Sequence, residues 1–280
     1  MQAGWEGKPI DFHFVMDTHA HLGMNVDFVV MDGSAEGMLR CKDKMGIDLT
    51  AVSSIPGTIG GWTKGNDEVI EAVQKYPDRF LGYITVNAHD PDSVLPECER
   101  CWDAGFKALK LHTGQKLNYD HTHIQPALEF ANDKGCPILC HVWGRELDHM
   151  EPLIDKYNNS IWLLAHAGCA EKEKYVKVAK AHENAVLETC YSRCPKGLLE
   201  YFVDEGLEDK TLWGSDADFY ASTHQFGRVL FAELSEEIKK KMLCDNAKRV
   251  FRGGTGVKAG SQRPQNRQPH LSRREGTEYC

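Results

Sequence analysis

The chain has 280 residues, 41% of them hydrophobic and 26% charged, with a formal net charge of −8. That composition supports one large apolar core, and no run approaches the roughly 18 uninterrupted apolar residues of a membrane span. The charge is uneven: Gly254–Cys280 holds Lys258, Arg263, Arg267, Arg273 and Arg274 against Glu275 and Glu278, a net of +3 that leaves −11 on the rest, and so acidic a body argues against a nucleic-acid substrate.

Met1–Asp11 lacks the basic-then-apolar layout of a signal peptide, so a soluble cytoplasmic protein is expected. In that setting the ten cysteines read as buried thiols. Cys98 and Cys101 fall on the apolar face of a helix with Val94, Leu95 and Trp102, and Cys140 and Cys190 lie in apolar strand-like runs. A cysteine zinc site would need a second pair at ligand spacing, and Cys190-x-x-x-Cys194 is a poor one.

In chain order, short apolar or β-branched runs appear at Phe14–Asp17, Leu49–Ser53, Phe80–Val86, Phe106–Leu111, Pro137–His141, Ile161–Ala165, Ala185–Cys190 and Thr211–Gly214. Amphipathic segments alternate with them. Asn66 can cap a helix to Tyr76, and others are expected at about Pro91–Ala104, Ile124–Lys134, Glu146–Tyr157, Glu171–His182, Gly197–Glu205 and Ser235–Phe251. Eight strands alternating with helices predict a parallel sheet closed as a (β/α)₈ barrel over residues 1–253. An open doubly wound sheet would carry a glycine-rich phosphate loop after the first strand, where this chain has Asp17-Thr18-His19-Ala20-His21. Residues 254–280 lack apolar periodicity and are expected to be a disordered basic tail.

The chemistry gathers at strand ends. Alternate residues of a strand share a face, so His19 and His21 present two imidazoles near enough to share a metal. Taken alone, such a pair is equally a pair of hydrogen-bonded loop histidines. The same position recurs, however: strand 5 ends in His141, strand 6 in His166, and strand 8 leads into Asp216. In a barrel of this kind, polar residues at the C-terminal strand ends line the active site.

Together these residues resemble the amidohydrolase superfamily, and within it the amidohydrolase-related branch that includes aminocarboxymuconate-semialdehyde decarboxylase. The resemblance rests on Asp17–Gly23, Tyr76–Tyr83, Gly105–His112, Ala165–Gly168, Trp213–Asp216 and Asn246–Phe251, and it spans about residues 12–252. It implies His19, His21, His141 and Asp216 as ligands of one zinc ion, with manganese as the alternative. Asp216 would also accept a proton, and His166 would shuttle it or stabilise an oxyanion. Such an ion lowers the pKa of bound water to about 7 and polarises a carbonyl.

Lys110 has three readings: a carboxylated bridge to a second ion, an anchor for a substrate carboxylate, or a partner of an acid such as Glu188. His112, Trp143 and Arg145 are assigned to substrate binding. Asp218, Tyr220 and His224 follow Asp216 and are expected to shape the pocket, and Asp17 is expected to orient a histidine. His13, His121, His123, His149 and His182 are treated as surface residues. Loops 55–64 and 113–122, rich in Gly, Thr and Asn, are expected to set specificity.

The expected activity is hydrolysis of an amide, ester or lactone of a small, carboxylate-bearing substrate. The alternative is non-oxidative decarboxylation or hydration of an unsaturated or aromatic acid. His19, where some related decarboxylases carry Glu, inclines the reading to hydrolysis. A binding barrel with a decayed site is the reading from another class, and all five occupied positions weigh against it. A small molecule is the expected partner, with neither nucleic acid nor membrane, and barrels of this type often pair as homodimers.

Overall fold

The computed structural model describes residues 2–10, 14–24, 29–59, 62–191 and 194–251. The elements run α1 (Gln2–Trp5), β1 (Met16–Leu22), α2 (Ala35–Met45), β2 (Leu49–Ser54), α3 (Ile55–Ile59), α4 (Trp62–Lys75), β3 (Phe80–Ile84) and α5 (Pro91–Asp103). They continue with β4 (Ala108–Leu111), α6 (Gln125–Lys134), β5 (Ile138–Cys140), α7 (Leu147–Lys156), β6 (Trp162–Leu164), α8 (Lys172–Ala181) and β7 (Ala185–Glu188). The chain finishes with α9 (Leu198–Asp204), β8 (Thr211–Leu212), α10 (Ser222–Leu230), α11 (Glu236–Lys240) and α12 (Asn246–Val250).

The eight strands form one sheet in sequence order, and each pairs with the next in parallel. Between β8 and β1 the sheet closes through single bonds rather than a full ladder. Thr18 N–H donates to Trp213 O (3.2 Å), and Asp216 N–H donates to His19 O (2.7 Å). His21 N–H donates to Ala217 O, and Ala20 bridges Ala217. This seam passes directly through the residues singled out for chemistry.

Strands buried on both faces read as unbroken apolar runs, and their alternation becomes visible only in what each side chain touches. Leu81, Leu139, Leu163, Val186 and Leu212 pack together inside the barrel, where Val250 and Phe251 close one end. Ile84, Leu109, Leu111, Ile138, Cys140, Leu164 and Leu187 face outward into the helical layer, which also takes Cys98 and Cys101. Tyr83 reaches up from the inner set, and its hydroxyl donates to Thr18 O (2.7 Å).

Several expectations need correction. Strand β1 continues through the histidines to Leu22, because its bonds to β2 and to the 213–217 segment hold that stretch extended. Helix α2 was not anticipated. Ser34 caps it and Gly46 ends it at φ 83°, but Lys42, mid-helix and fully buried, breaks the apolar stripe that would have announced it. Helix α10 also went unmarked.

Asn66 is not a cap. Helix α4 starts at Trp62, and the buried Asn66 amide donates to Thr85 O (2.8 Å) and Glu97 Oε1 (2.6 Å). Much of the 55–64 segment is accordingly helical rather than loop. The final helix runs on from Ser235 as expected but carries a π turn at Lys241–Asp245. The 254–280 tail and His13 lie outside the described residues. Among the described residues no helix is long and apolar enough to cross a membrane.

Candidate metal centre

At the C-terminal ends of the strands the barrel interior changes from apolar to polar. His19 and His21 on β1, Lys110 on β4, Glu188 on β7 and Asp216 after β8 are all buried, and so is His166 after β6. His166 and Asp216 each take left-handed backbone angles (φ 56°), which turn their side chains inward immediately after the strand. Non-glycine residues adopt such angles rarely and at a cost, and these positions cluster at functional sites.

His21 Nε2 lies 3.1 Å from Asp216 Oδ1, and His19 Nε2 lies 3.7 Å from the same oxygen. The free end of each ring is oriented by a second group. His19 Nδ1 is 2.8 Å from Glu188 Oε2, and His21 Nδ1 is 2.9 Å from Ser53 Oγ. With the His19 proton on Nδ1 and donated to Glu188, the Nε2 lone pair faces the centre. Ligands about 2.1 Å from one ion stand roughly 3–4 Å apart, so the two imidazoles and the carboxylate fit a divalent cation. Their donor atoms lie within 4.8 Å of one another.

His141 is held differently. Its Nδ1 is 3.0 Å from His166 Nε2, and its ring lies 4.1 Å from that of His112, tilted by 46°. It falls in none of the three-residue donor groups found among the described residues. Two of those groups include Cys190, a residue that sequence reasoning had assigned to the apolar interior. Its Sγ is 3.1 Å from His166 Nδ1, 3.1 Å from Glu188 Oε2 and 3.2 Å from His19 Nδ1. The available signal was its spacing: Cys190 follows Glu188, the last residue of β7, by two, so both face inward.

Lys110 Nζ sits 2.8 Å from His19 Nε2, not on Glu188. Burial pulls the ammonium pKa down, against the pull of Asp216, Cys190 and Glu188 in the other direction. The same desolvation dominates the whole cluster. It lowers His166 to about 4 and His112 to about 3, drops His19 and His141 well below 6.5, and lowers His21 despite its bond to Asp216. Burial pushes Glu188 up to about 8. For Asp216 burial acts upward too, but the His21 hydrogen bond and the charges of His166, His21 and Lys110 prevail and hold it well below 3.8. The imidazoles are therefore neutral and the Asp216 carboxylate ionised near pH 7, the protonation states that ligation requires.

Aromatic rings wall this centre. Trp143 stacks on His166 (5.0 Å, 12° between planes), Tyr191 meets Trp143 edge-on at 4.8 Å, Tyr220 meets Tyr191 at 5.7 Å, and Phe219 lies 5.0 Å from His21.

Other assigned residues lie elsewhere. Arg145 is 82% exposed, pairs with Glu146 (3.0 Å), and lines a separate cleft with Lys116, Tyr119 and His149. His224 is exposed at the start of α10. Asp218 is half-buried, its Oδ2 without a hydrogen-bond partner, and burial raises its pKa to about 6. Asp17 contacts no imidazole ring. Its carboxylate takes the Lys42 ammonium, the Ser215 hydroxyl (2.6 Å) and the backbone N–H groups of Ser215 (2.9 Å) and His19 (3.1 Å). His182 is buried rather than on the surface, paired with Asp155 (2.9 Å) and Glu151 (3.3 Å), while His121 and His123 are half-buried and His149 is exposed.

A parallel eight-stranded barrel with histidines and an aspartate converging at its C-terminal mouth defines a metal-centre barrel of the hydrolase and lyase type. The family model described as amidohydrolase matches residues 16–253, and the chain belongs to that family. It is similar to the 2-amino-3-carboxymuconate-6-semialdehyde decarboxylase of Dictyostelium discoideum, at 23% identity over 109 residues. That match covers 35% of this chain and spans about 30% of the length of the relative. Among solved structures it resembles 2,6-dihydroxybenzoate decarboxylase from Rhizobium, with a TM-score of 0.70 and 18% identity over 86% of this chain and 99% of that one. It also resembles the 5-carboxyvanillate decarboxylase of Novosphingobium aromaticivorans in complex with manganese, with a TM-score of 0.71 and 16% identity over 88% and 98% of the two chains. At these identities the structures establish the shared fold.

Proposed function

We propose that this chain is a divalent-metal-dependent decarboxylase of a small aromatic or unsaturated carboxylic acid. The observation that carries the reading is the wall of flat rings, Trp143, Tyr191, Tyr220 and Phe219, around the His19–His21–Asp216 cluster. Such walls suit a planar conjugated substrate by offset and edge-on ring contacts. The decarboxylase relatives favour this reading over the hydrolysis to which His19 alone had inclined it.

His19, His21 and Asp216 would hold the ion, and this nitrogen and oxygen donor set accepts zinc or manganese. A bound ion would supply Lewis acidity toward a substrate oxygen. When the bond to the carboxylate breaks, its electron pair passes into the conjugated system and CO₂ departs. The Lys110 ammonium, buried where charge is poorly screened, stabilises the negative charge that develops. A proton must then replace the lost carboxylate on carbon. Solvent supplies it through His166, whose Nδ1 is 4.0 Å from Asp216 Oδ2, and the Asp216 carboxylate takes it up and passes it to the carbon. Trp143 holds the His166 ring in plane by stacking, and the aromatic wall excludes water from the substrate face.

The test is to reload metal-free protein with zinc or manganese and incubate it in D₂O with hydroxybenzoates and unsaturated acids. CO₂ release with deuterium at the vacated carbon is expected, with metal only, and it should fall to background in Asp216→Asn while circular dichroism is unchanged. Hydrolysis of a lactone or amide without any CO₂ release would replace this reading with the hydrolytic one.

A further inference from the structure

Cys190 is set apart from four other buried cysteines. Cys98, Cys101, Cys136 and Cys140 pack among apolar side chains of the outer core. Cys190 belongs to none of the three apolar clusters and instead has nitrogen or oxygen atoms of three side chains within 3.2 Å. A thiol is a weak hydrogen-bond donor and acceptor, so little is gained by surrounding it with imidazole and carboxylate unless it ligates.

The two oxygens of Asp216 divide the cavity between them. Oδ1 faces His19 and His21 at 3.7 and 3.1 Å, while Oδ2 faces His166 Nδ1 at 4.0 Å. On that second side, Cys190 Sγ, His166 Nδ1 and Asp216 form a compact trio with donor atoms within 4.8 Å of one another, the sulfur only 3.1 Å from the nitrogen. Metal–sulfur and metal–nitrogen bonds of about 2.3 and 2.1 Å fit within a triangle of that size. Tryptophan at position 143 closes one face of His166, and Glu188 accepts the Cys190 backbone N–H (2.8 Å), which fixes the direction of the thiol.

We propose that Cys190, His166 and Asp216 form a second cation site beside the first, selective for thiophilic divalent ions such as zinc, cobalt or cadmium. This inference rests on the metal-centre reading given above, with Asp216 shared between the two ions. On binding, the S–H bond breaks, the sulfur's electron pair goes to the cation, and the proton leaves to solvent. The ion also ties up His166 Nδ1, so filling this site removes the proton supply to Asp216 and an excess of a thiophilic metal inhibits turnover. Hard ions such as magnesium leave it empty, since thiolate selects softer cations.

The test is a cobalt(II) titration of the full-length, metal-free protein, followed by absorption spectroscopy and elemental analysis. The first equivalent should give ligand-field bands alone. The second should add a near-ultraviolet thiolate-to-cobalt charge-transfer band. Cys190→Ser should bind the first equivalent, lose the charge-transfer band, and show at least tenfold weaker inhibition by excess zinc. Cys194→Ser should keep the band, and His166→Gln, with its thiol intact, should weaken it, which guards against a Cys190 variant that fails to fold. Two bound equivalents without the band, or a band that persists in Cys190→Ser, overturns the thiolate site and leaves the first centre standing. No cobalt bound at all overturns the first centre as well.

Discussion

The two ends of the barrel are built from the same strands and do opposite work. At one end the inward positions are Leu81, Leu139, Leu163, Val186 and Leu212, sealed by Val250 and Phe251. At the other they are His19, Lys110, Glu188 and Asp216, each charged or titratable and each satisfied by another member of the set. On β7 the step from Val186 to Glu188, two residues or about 7 Å, separates the layers. The apolar end supplies stability through packed area, whereas the polar end is tolerated because its groups pair with one another instead of with water. The difference teaches that side chains at the same strand positions carry either stability or chemistry, according to which end of the strand they occupy.

Phe251→Ala strikes the sealed end and should produce the largest effect on stability. Removing a fully buried phenyl ring costs about 3–5 kcal/mol, read as a lowered denaturation midpoint, while metal bound per folded molecule stays the same. A change in metal affinity in that variant would break the separation of the two ends.

Glu188→Gln sharpens it from the other side. The variant keeps the shape but replaces the carboxyl oxygen 2.8 Å from His19 Nδ1 with an amide, so metal affinity measured by chelator competition should weaken about 10–100-fold with little change in the denaturation midpoint. If affinity is unaltered, Glu188 has no orienting role.

The smallest effect is expected outside both layers, at Glu36 on α2. Hydrogen bonds from Lys75 (2.7 Å) and Tyr76 (2.8 Å) lower its pKa from 4.5 to about 2. A folded-state pKa below the unfolded one contributes stability that is present above about pH 4.5 and lost as pH falls toward 2. The carboxylate is 45% exposed, so after solvent screening its contribution is on the order of 0.5 kcal/mol. Glu36→Gln should therefore lower stability slightly at pH 7 and flatten its acid dependence between pH 5 and pH 2. Identical slopes in parent and variant would remove this pair from the account.

Much of the architecture was legible in the order of residues. Eight apolar runs alternating with amphipathic segments point to a parallel sheet covered on both faces, and the lack of a glycine-rich phosphate loop after the first run favours the closed barrel over the open doubly wound sheet. The recurrence of His19, His21, His141, His166 and Asp216 at run ends also stood out, since an apolar strand has no reason to finish in a titratable group unless that end faces a site. Helix α2 stayed hidden because a buried lysine can be told from a solvated one only when its partners are known. Those partners, Asp17, Ser215 and Ser222, lie 25 to 180 positions away in the chain.

The tertiary structure decided which long-range pairs form. It placed Lys110 on His19 instead of Glu188, brought Cys190 to His166, drew Asp17 to Lys42, and left Arg145 at the edge of another cleft. Local order along the chain sets the two-residue period by which successive side chains of a strand take opposite faces. The partner across the barrel depends on closure and on the register of every intervening strand, distances that no local pattern encodes.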